Sequence, residues 1–86
     1  MVTLLYFASL RESVGCSREQ VALPANAATS TVSTVVDSLR ARNGNWTEAF
    51  APGKQWRVAV NQQMADLATP IKPGDEIAFF PPVTGG

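Results

Sequence analysis

The stretch Lys72-Pro73-Gly74-Asp75-Glu76-Ile77-Ala78-Phe79-Phe80-Pro81-Pro82-Val83-Thr84-Gly85-Gly86 decides how the rest of the chain is read. Lys72-Pro73-Gly74-Asp75 is a turn signal, because proline presets its own φ and glycine supplies a positive one. Glu76 to Phe80 is free of breakers and reads as a strand. Ile77 and Phe79 point to one face of it, Ala78 and Phe80 to the other. Pro81 and Pro82 end it, since neither has an N–H to donate to a ladder. Beyond them Val83 and Thr84 favour extended backbone, and Gly85 and Gly86 carry no side chain. The tail is extended at its base and narrow at its tip. That shape suits threading into a tight channel of another protein, where backbone approaches catalytic groups. The chain is therefore divided into a folded unit, residues 1–80, and a tail, residues 81–86.

Upstream, Val2 to Ser9 is apolar and aromatic and reads as a first strand. Leu4 and Tyr6 share one face, Leu5 and Phe7 the other. Arg11 to Ser17, which contains Gly15, reads as a connection. Arg18 to Leu23 reads as a second strand stopped by Pro24, and Ala25 to Ser30 as a small-residue linker. Val32, Val35, Val36 and Leu39 fall at i, i+3, i+4 and i+7, one face of a helix. Ser30 or Thr31 caps its start, and Gly44 is expected to cap its end. Asn45 to Phe50 is a further helical turn with Asn45 as cap. Gln55 to Asn61 alternates as a half-buried strand. Asn61-Gln62-Gln63 is a turn, and Met64 to Leu67 a short strand.

The order is strand, strand, helix, strand, short strand, strand: an α+β unit with one main helix. One helix covers only one face of a sheet. The sequence nevertheless supplies apolar residues for both, so Leu5, Phe7, Ala78 and Phe80 are candidates for an exposed patch of the kind that marks partner surfaces.

Composition narrows the chemistry. The chain has 86 residues, with 7 basic and 7 acidic side chains, so it lacks the basic excess that nucleic-acid binding needs. It has one cysteine, Cys16, and no histidine, which rules out a disulfide framework or a Cys-His or Ser-His pair within the chain. Scattered carboxylates make a poor metal site, so no metal ligands are assigned. The apolar start is short and has no basic region before it, so neither a signal peptide nor a membrane span is read there, and a cytoplasmic location is expected. No catalytic residue is assigned either. Cys16 could be a redox thiol and Arg11 a contact for a partner enzyme, but the default for a lone cysteine or arginine in a polar segment is no specific role. Asp75 is a structural turn residue, and Trp46 and Trp56 are packing residues.

The run from Gly74 to Gly86 resembles the C-terminal signature of the molybdopterin synthase small-subunit family. The opening Leu5-Tyr6-Phe7-Ala8-Ser9-Leu10-Arg11-Glu12 and the Val60-Asn61 turn resemble it as well. The resemblance implies a β-grasp, ubiquitin-like fold with a mixed sheet, in accord with the element order. It also implies a sulfur carrier for molybdenum cofactor biosynthesis. A ubiquitin-activating-type adenylyltransferase would use ATP to adenylate Gly86, and a persulfide donor would convert it to a thiocarboxylate. The tail, Pro81, Pro82, Val83, Thr84 and Gly85, would deliver it into the large subunit of molybdopterin synthase. There sulfur would pass to cyclic pyranopterin monophosphate, in an assembly of two small and two large subunits. By the same resemblance Phe7, Met64 and Phe80 form the docking surface; the alternative is that all three are core. No cofactor is expected to stay bound. Rival readings are a thiamin-pathway sulfur carrier, a ubiquitin-like modifier joined to lysines, and a purely structural module.

Overall fold

The computed structural model describes residues 1–23, 30–53 and 55–81. Its elements run β1 (Val2–Tyr6), α1 (Ala8–Val14), β2 (Arg18–Val21), α2 (Val32–Arg40), α3 (Asn45–Ala49), β3 (Arg57–Val60), β4 (Gln63–Ala65) and β5 (Glu76–Phe80). The strands form one sheet in the order β2-β1-β5-β3-β4. β1 and β5 run parallel, and the other three pairings are antiparallel. This is the mixed sheet under one main helix expected of an α+β β-grasp fold, and β5 spans the five residues read as the last strand.

The core follows the alternation of the strands. Val2, Leu4 and Tyr6 of β1 and Ile77 and Phe79 of β5 are fully buried. They meet Val32, Val35, Val36 and Leu39, the four positions of the helical stripe. Valines are weak helix formers, so α2 depends on this docking. Its first turn is also supplied with partners. The Thr31 N–H donates to Thr34 Oγ1 (3.1 Å), the Val32 N–H to the Thr69 carbonyl (3.0 Å) and the Ser33 N–H to the Leu67 carbonyl (3.0 Å). The segment after β4 thus satisfies amides that a helix start leaves unpaired. Phe50 fills one end of the core, 5.1 Å from Phe79 and nearly edge-on to it. Trp46 and Trp56 pack around that pair as packing residues.

Four local expectations are corrected. The first strand ends at Tyr6, not Ser9, and the Arg11–Ser17 connection is largely a helix, α1. The Phe7 carbonyl accepts N–H groups from Leu10 and Arg11, which turns the chain out of the sheet, and Leu10 is buried. Gly15 ends α1 in the left-handed region (φ 71°) and donates to the Arg11 carbonyl at 2.9 Å. Gly44 does not cap α2, which ends at Arg40 with Ala41 as its C-cap; it opens α3 instead, so Asn45 lies inside that helix. Lastly, β4 starts at Gln63 and stops at Ala65, because Asn61 and Gln62 (φ 52° and 68°) already complete a two-residue hairpin turn. The small-residue linker expected from residue 25 lies, apart from Ser30, outside the described residues, as does Pro24. Among the described residues, no helix is long and apolar enough to cross a membrane.

Candidate functional site

Pairing register fixes which side chains share the sheet face turned away from α2. Arg18 stands opposite Leu5, Leu5 beside Ala78, Ala78 opposite Ala59, and Ala59 opposite Met64. These five residues form a single row across all five strands. A second row lies one pleat further along, where Phe7 stacks on Phe80 and Arg57 stands opposite Phe80. The two faces therefore differ in kind. Val2, Leu4 and Tyr6 vanish under the helix, while Leu5 is half-buried and Phe7 remains 39% exposed.

Phe7 lies beyond the end of β1, yet its N–H still donates to the Phe79 carbonyl at 3.1 Å. That bond keeps its ring in register with β5. The Phe7 and Phe80 rings lie 4.9 Å apart, with planes 7° from parallel. Met64 projects from the edge strand β4 and is 66% exposed. The two alanines between Leu5 and Met64 are too small to reach the height of their neighbours, so the row has a low floor. Phe7, Met64 and Phe80, singled out from the sequence, are thus brought to one face. Parity in the sequence placed Phe7 and Phe80 together; Met64 needed the hairpin register, which no local pattern discloses.

Pro81, half-buried, continues directly from Phe80. Pro82, Val83, Thr84, Gly85 and Gly86, to which sulfur carriage and insertion were assigned, lie outside the described residues. The last described residue of the tail therefore leaves the sheet beside the stacked phenylalanines.

On the helical side, the polar groups are committed to structure. The Tyr6 hydroxyl donates to Glu19 Oε2 (2.8 Å), and Arg42 makes a two-pronged bond to the same carboxylate (2.8 and 2.9 Å). The Arg42 guanidinium also sits 4.4 Å from the Trp46 ring centroid. Burial, then the Glu19 hydrogen bond, pushes the Tyr6 phenol far above its usual range. The Arg42 hydrogen bond holds Glu19 below its usual value. Neither group is poised to exchange a proton near neutral pH; together they tie β2 to the end of α2.

A second lock joins the turns at the opposite end of the sheet. Asp75 accepts the Asn61 side-chain amide (3.0 Å) and the Lys72 N–H (2.9 Å), while Asn61 accepts the Glu76 N–H (3.0 Å). Burial pushes the Asp75 carboxyl upward, but those hydrogen bonds and the Lys72 ammonium outweigh it and hold the group below its usual value. Asp75 is structural, as read from the sequence. Cys16 is half-buried, and its thiol donates to the Arg18 carbonyl at 3.4 Å. Among the described residues, no group of three or more His, Cys, Asp or Glu side chains comes together.

The profile of the ThiS family matches residues 4–86. The chain belongs to the ThiS family. It is 41% identical over 86 residues to the molybdopterin synthase sulfur carrier subunit of Escherichia coli (strain K12), covering 100% of both chains. It is 40% identical to the protein of the same name from Haemophilus influenzae, again over 100% of both. Among solved structures it is similar to SAMP1 from Haloferax volcanii. That match has a TM-score of 0.75 and 26% identity, and covers 99% of this chain and 98% of that one. The ThiS-family membership together with the two full-length relatives bears out the resemblance read from Gly74 to Gly86, and the structural match bears out the ubiquitin-like β-grasp fold.

Proposed function

We propose that this chain is the sulfur-carrying small subunit of a molybdopterin synthase. The observation that carries the reading is the end-to-end likeness to two molybdopterin synthase sulfur carrier subunits, with no part of either chain left over. The bare apolar face beside the tail supports it, since such a face is a means of docking to another protein.

In this reading Gly86 is carried substrate rather than a catalytic group. Its carboxylate attacks the α-phosphate of ATP in a ubiquitin-activating-type adenylyltransferase and releases pyrophosphate. The acyl adenylate makes a poor electrophile reactive. The terminal sulfur of a persulfide donor then displaces AMP to give an acyl disulfide. A second thiol of the donor system cleaves its S–S bond, is oxidised to a disulfide with the donor's sulfur, and leaves the thiocarboxylate on Gly86. Pro81, Pro82, Val83, Thr84 and Gly85 pass this group into the large subunit, which holds cyclic pyranopterin monophosphate and supplies the acid, base and anion-binding groups. Each product dithiolene has two sulfurs, so two carriers are consumed per turnover. Phe7, Met64 and Phe80 form the surface that both the large subunit and the activating enzyme grip, which makes the two complexes mutually exclusive. The cytoplasm is the expected compartment, because ATP and both partners must be at hand.

The test is the intact mass of the C-terminal peptide, before and after incubation with ATP, the activating enzyme and a sulfur source. A gain equal to replacing one oxygen by sulfur is expected. An unchanged mass accompanied by conjugates to lysines would replace the carrier by a protein modifier. Capture of a thiazole synthase in place of the large subunit would move the chain to the thiamin pathway.

A further inference from the structure

The two rows on the bare sheet face each carry an arginine: Arg18 on edge strand β2, opposite Leu5, and Arg57 on β3, opposite Phe80. Strands lie about 4.8 Å apart, so the row from Arg18 to Met64 spans roughly 19 Å, the scale of a protein interface core. Both arginines are exposed. The chain as a whole is neutral, but its charges are not evenly spent. Arg40 pairs with Asp37, Arg42 with Glu19 and Lys72 with Asp75, all away from the platform. Among the described residues, neither Arg18 nor Arg57 has a carboxylate within ion-pairing distance. Glu76, opposite Thr3, is an acidic side chain of the same face a further pleat away from the phenylalanines. Asp66, which lines a shallow pocket with Arg57 and Met64, spends its carboxylate on the turn after β4, where it accepts the Ala68 N–H (2.9 Å) and the Thr69 hydroxyl (3.3 Å). The end of the platform from which the tail departs is therefore apolar at its centre and cationic at its flanks.

We propose that Arg18 and Arg57 form a cationic rim that selects a large subunit carrying carboxylates opposite both flanks of the Phe7, Phe80 and Met64 platform. The inference rests on the docking reading above and adds the chemistry of the partner to it. Apolar contact alone discriminates poorly between partners, because any greasy surface of similar shape fits. Two arginines in different rows, on either side of the platform, set both a preference for acidic partners and the orientation in which the tail enters. Exposed charges at an interface rim act mainly on the association rate and its salt dependence.

The experiment measures association of the full chain with the isolated large subunit of molybdopterin synthase from the same organism, between about 50 and 500 mM salt. The chain is compared with the double variants Arg18→Glu/Arg57→Glu and Arg18→Lys/Arg57→Lys, with thermal melting as the check on folding. Charge reversal is expected to slow association about tenfold at low salt and to flatten the salt dependence, with melting unchanged. The lysine variant is expected to keep most of the rate. If the charge-reversed chain associates as fast as the unaltered one, with the same salt slope, the rim has no role. If the unaltered chain does not bind the large subunit at all, the functional reading itself fails and the rim falls with it.

Discussion

Phe7, one residue past the end of β1, and Phe80, the last residue of the parallel strand β5, stack their rings at 4.9 Å on the side of the sheet that the helices leave bare. A stacked pair of this kind adds about 0.5–1.5 kcal/mol beyond the area it buries. Here that energy goes into holding two rings in one exposed plane, next to the start of the tail.

Phe80→Ala is expected to weaken the complex with the large subunit by tenfold or more, about 1.5–3 kcal/mol, as truncation of a central aromatic anchor does. Stability should fall less, because Phe80 is only half-buried. Calorimetric titration beside a thermal melt separates the two effects. Unaltered affinity with a large loss of stability would assign Phe80 to the core.

Deletion of Gly86 should abolish sulfur transfer and leave melting temperature and large-subunit binding nearly unchanged, since all of the core residues lie between Val2 and Phe79. The readout is product formation by the reconstituted synthase. Activity that survives the deletion would place the reactive group elsewhere.

Asp75→Asn is expected to cost about 1.5–3 kcal/mol, because its buried carboxylate accepts two hydrogen bonds and an amide nitrogen in either position would face a donor. The Asp75 carboxyl is held below its usual value in the folded chain and returns to about 3.9 on unfolding. Its contribution is present above that ordinary value and is lost as pH falls through the lowered one. Urea midpoints measured from pH 6 down to pH 2 should therefore drop more steeply for the unaltered chain than for the variant.

Gly15→Ala should destabilise the chain by about 1 kcal/mol. A Cβ at this position would meet no atom within 4 Å, so the cost comes from the left-handed backbone (φ 71°) alone. Chemical denaturation measures it. A neutral result would mean that α1 ends without that conformation.

The elements that were legible in the sequence were those where one periodicity dominates. The α2 stripe at Val32, Val35, Val36 and Leu39 and the breaker-bounded β5 needed no tertiary information. α1 was missed because its polar Arg11-Glu12-Ser13 run hides the spacing of Phe7, Leu10 and Val14. The Gly15 cap was its available signal. Gly44 was misassigned because positive φ serves equally well to end one helix or to open the next, and only chain direction after Asn43 decides between them.

The sequence by itself determined the strand and helix faces, the family through its C-terminal run, and the exclusion of a histidine- or disulfide-based site. These depend on residue identity and short spacing. Only the tertiary structure decided which apolar residues were surplus to the core. Register across β2, β1, β5, β3 and β4 placed Met64, from a hairpin edge, in one row with Leu5. It also placed Arg18 and Arg57, residues far apart in the chain and unremarkable in it, at the flanks of the same platform. Strand pairing is non-local, and a slip of one residue turns every side chain to the opposite face. The composition of that face is therefore a property of the folded sheet.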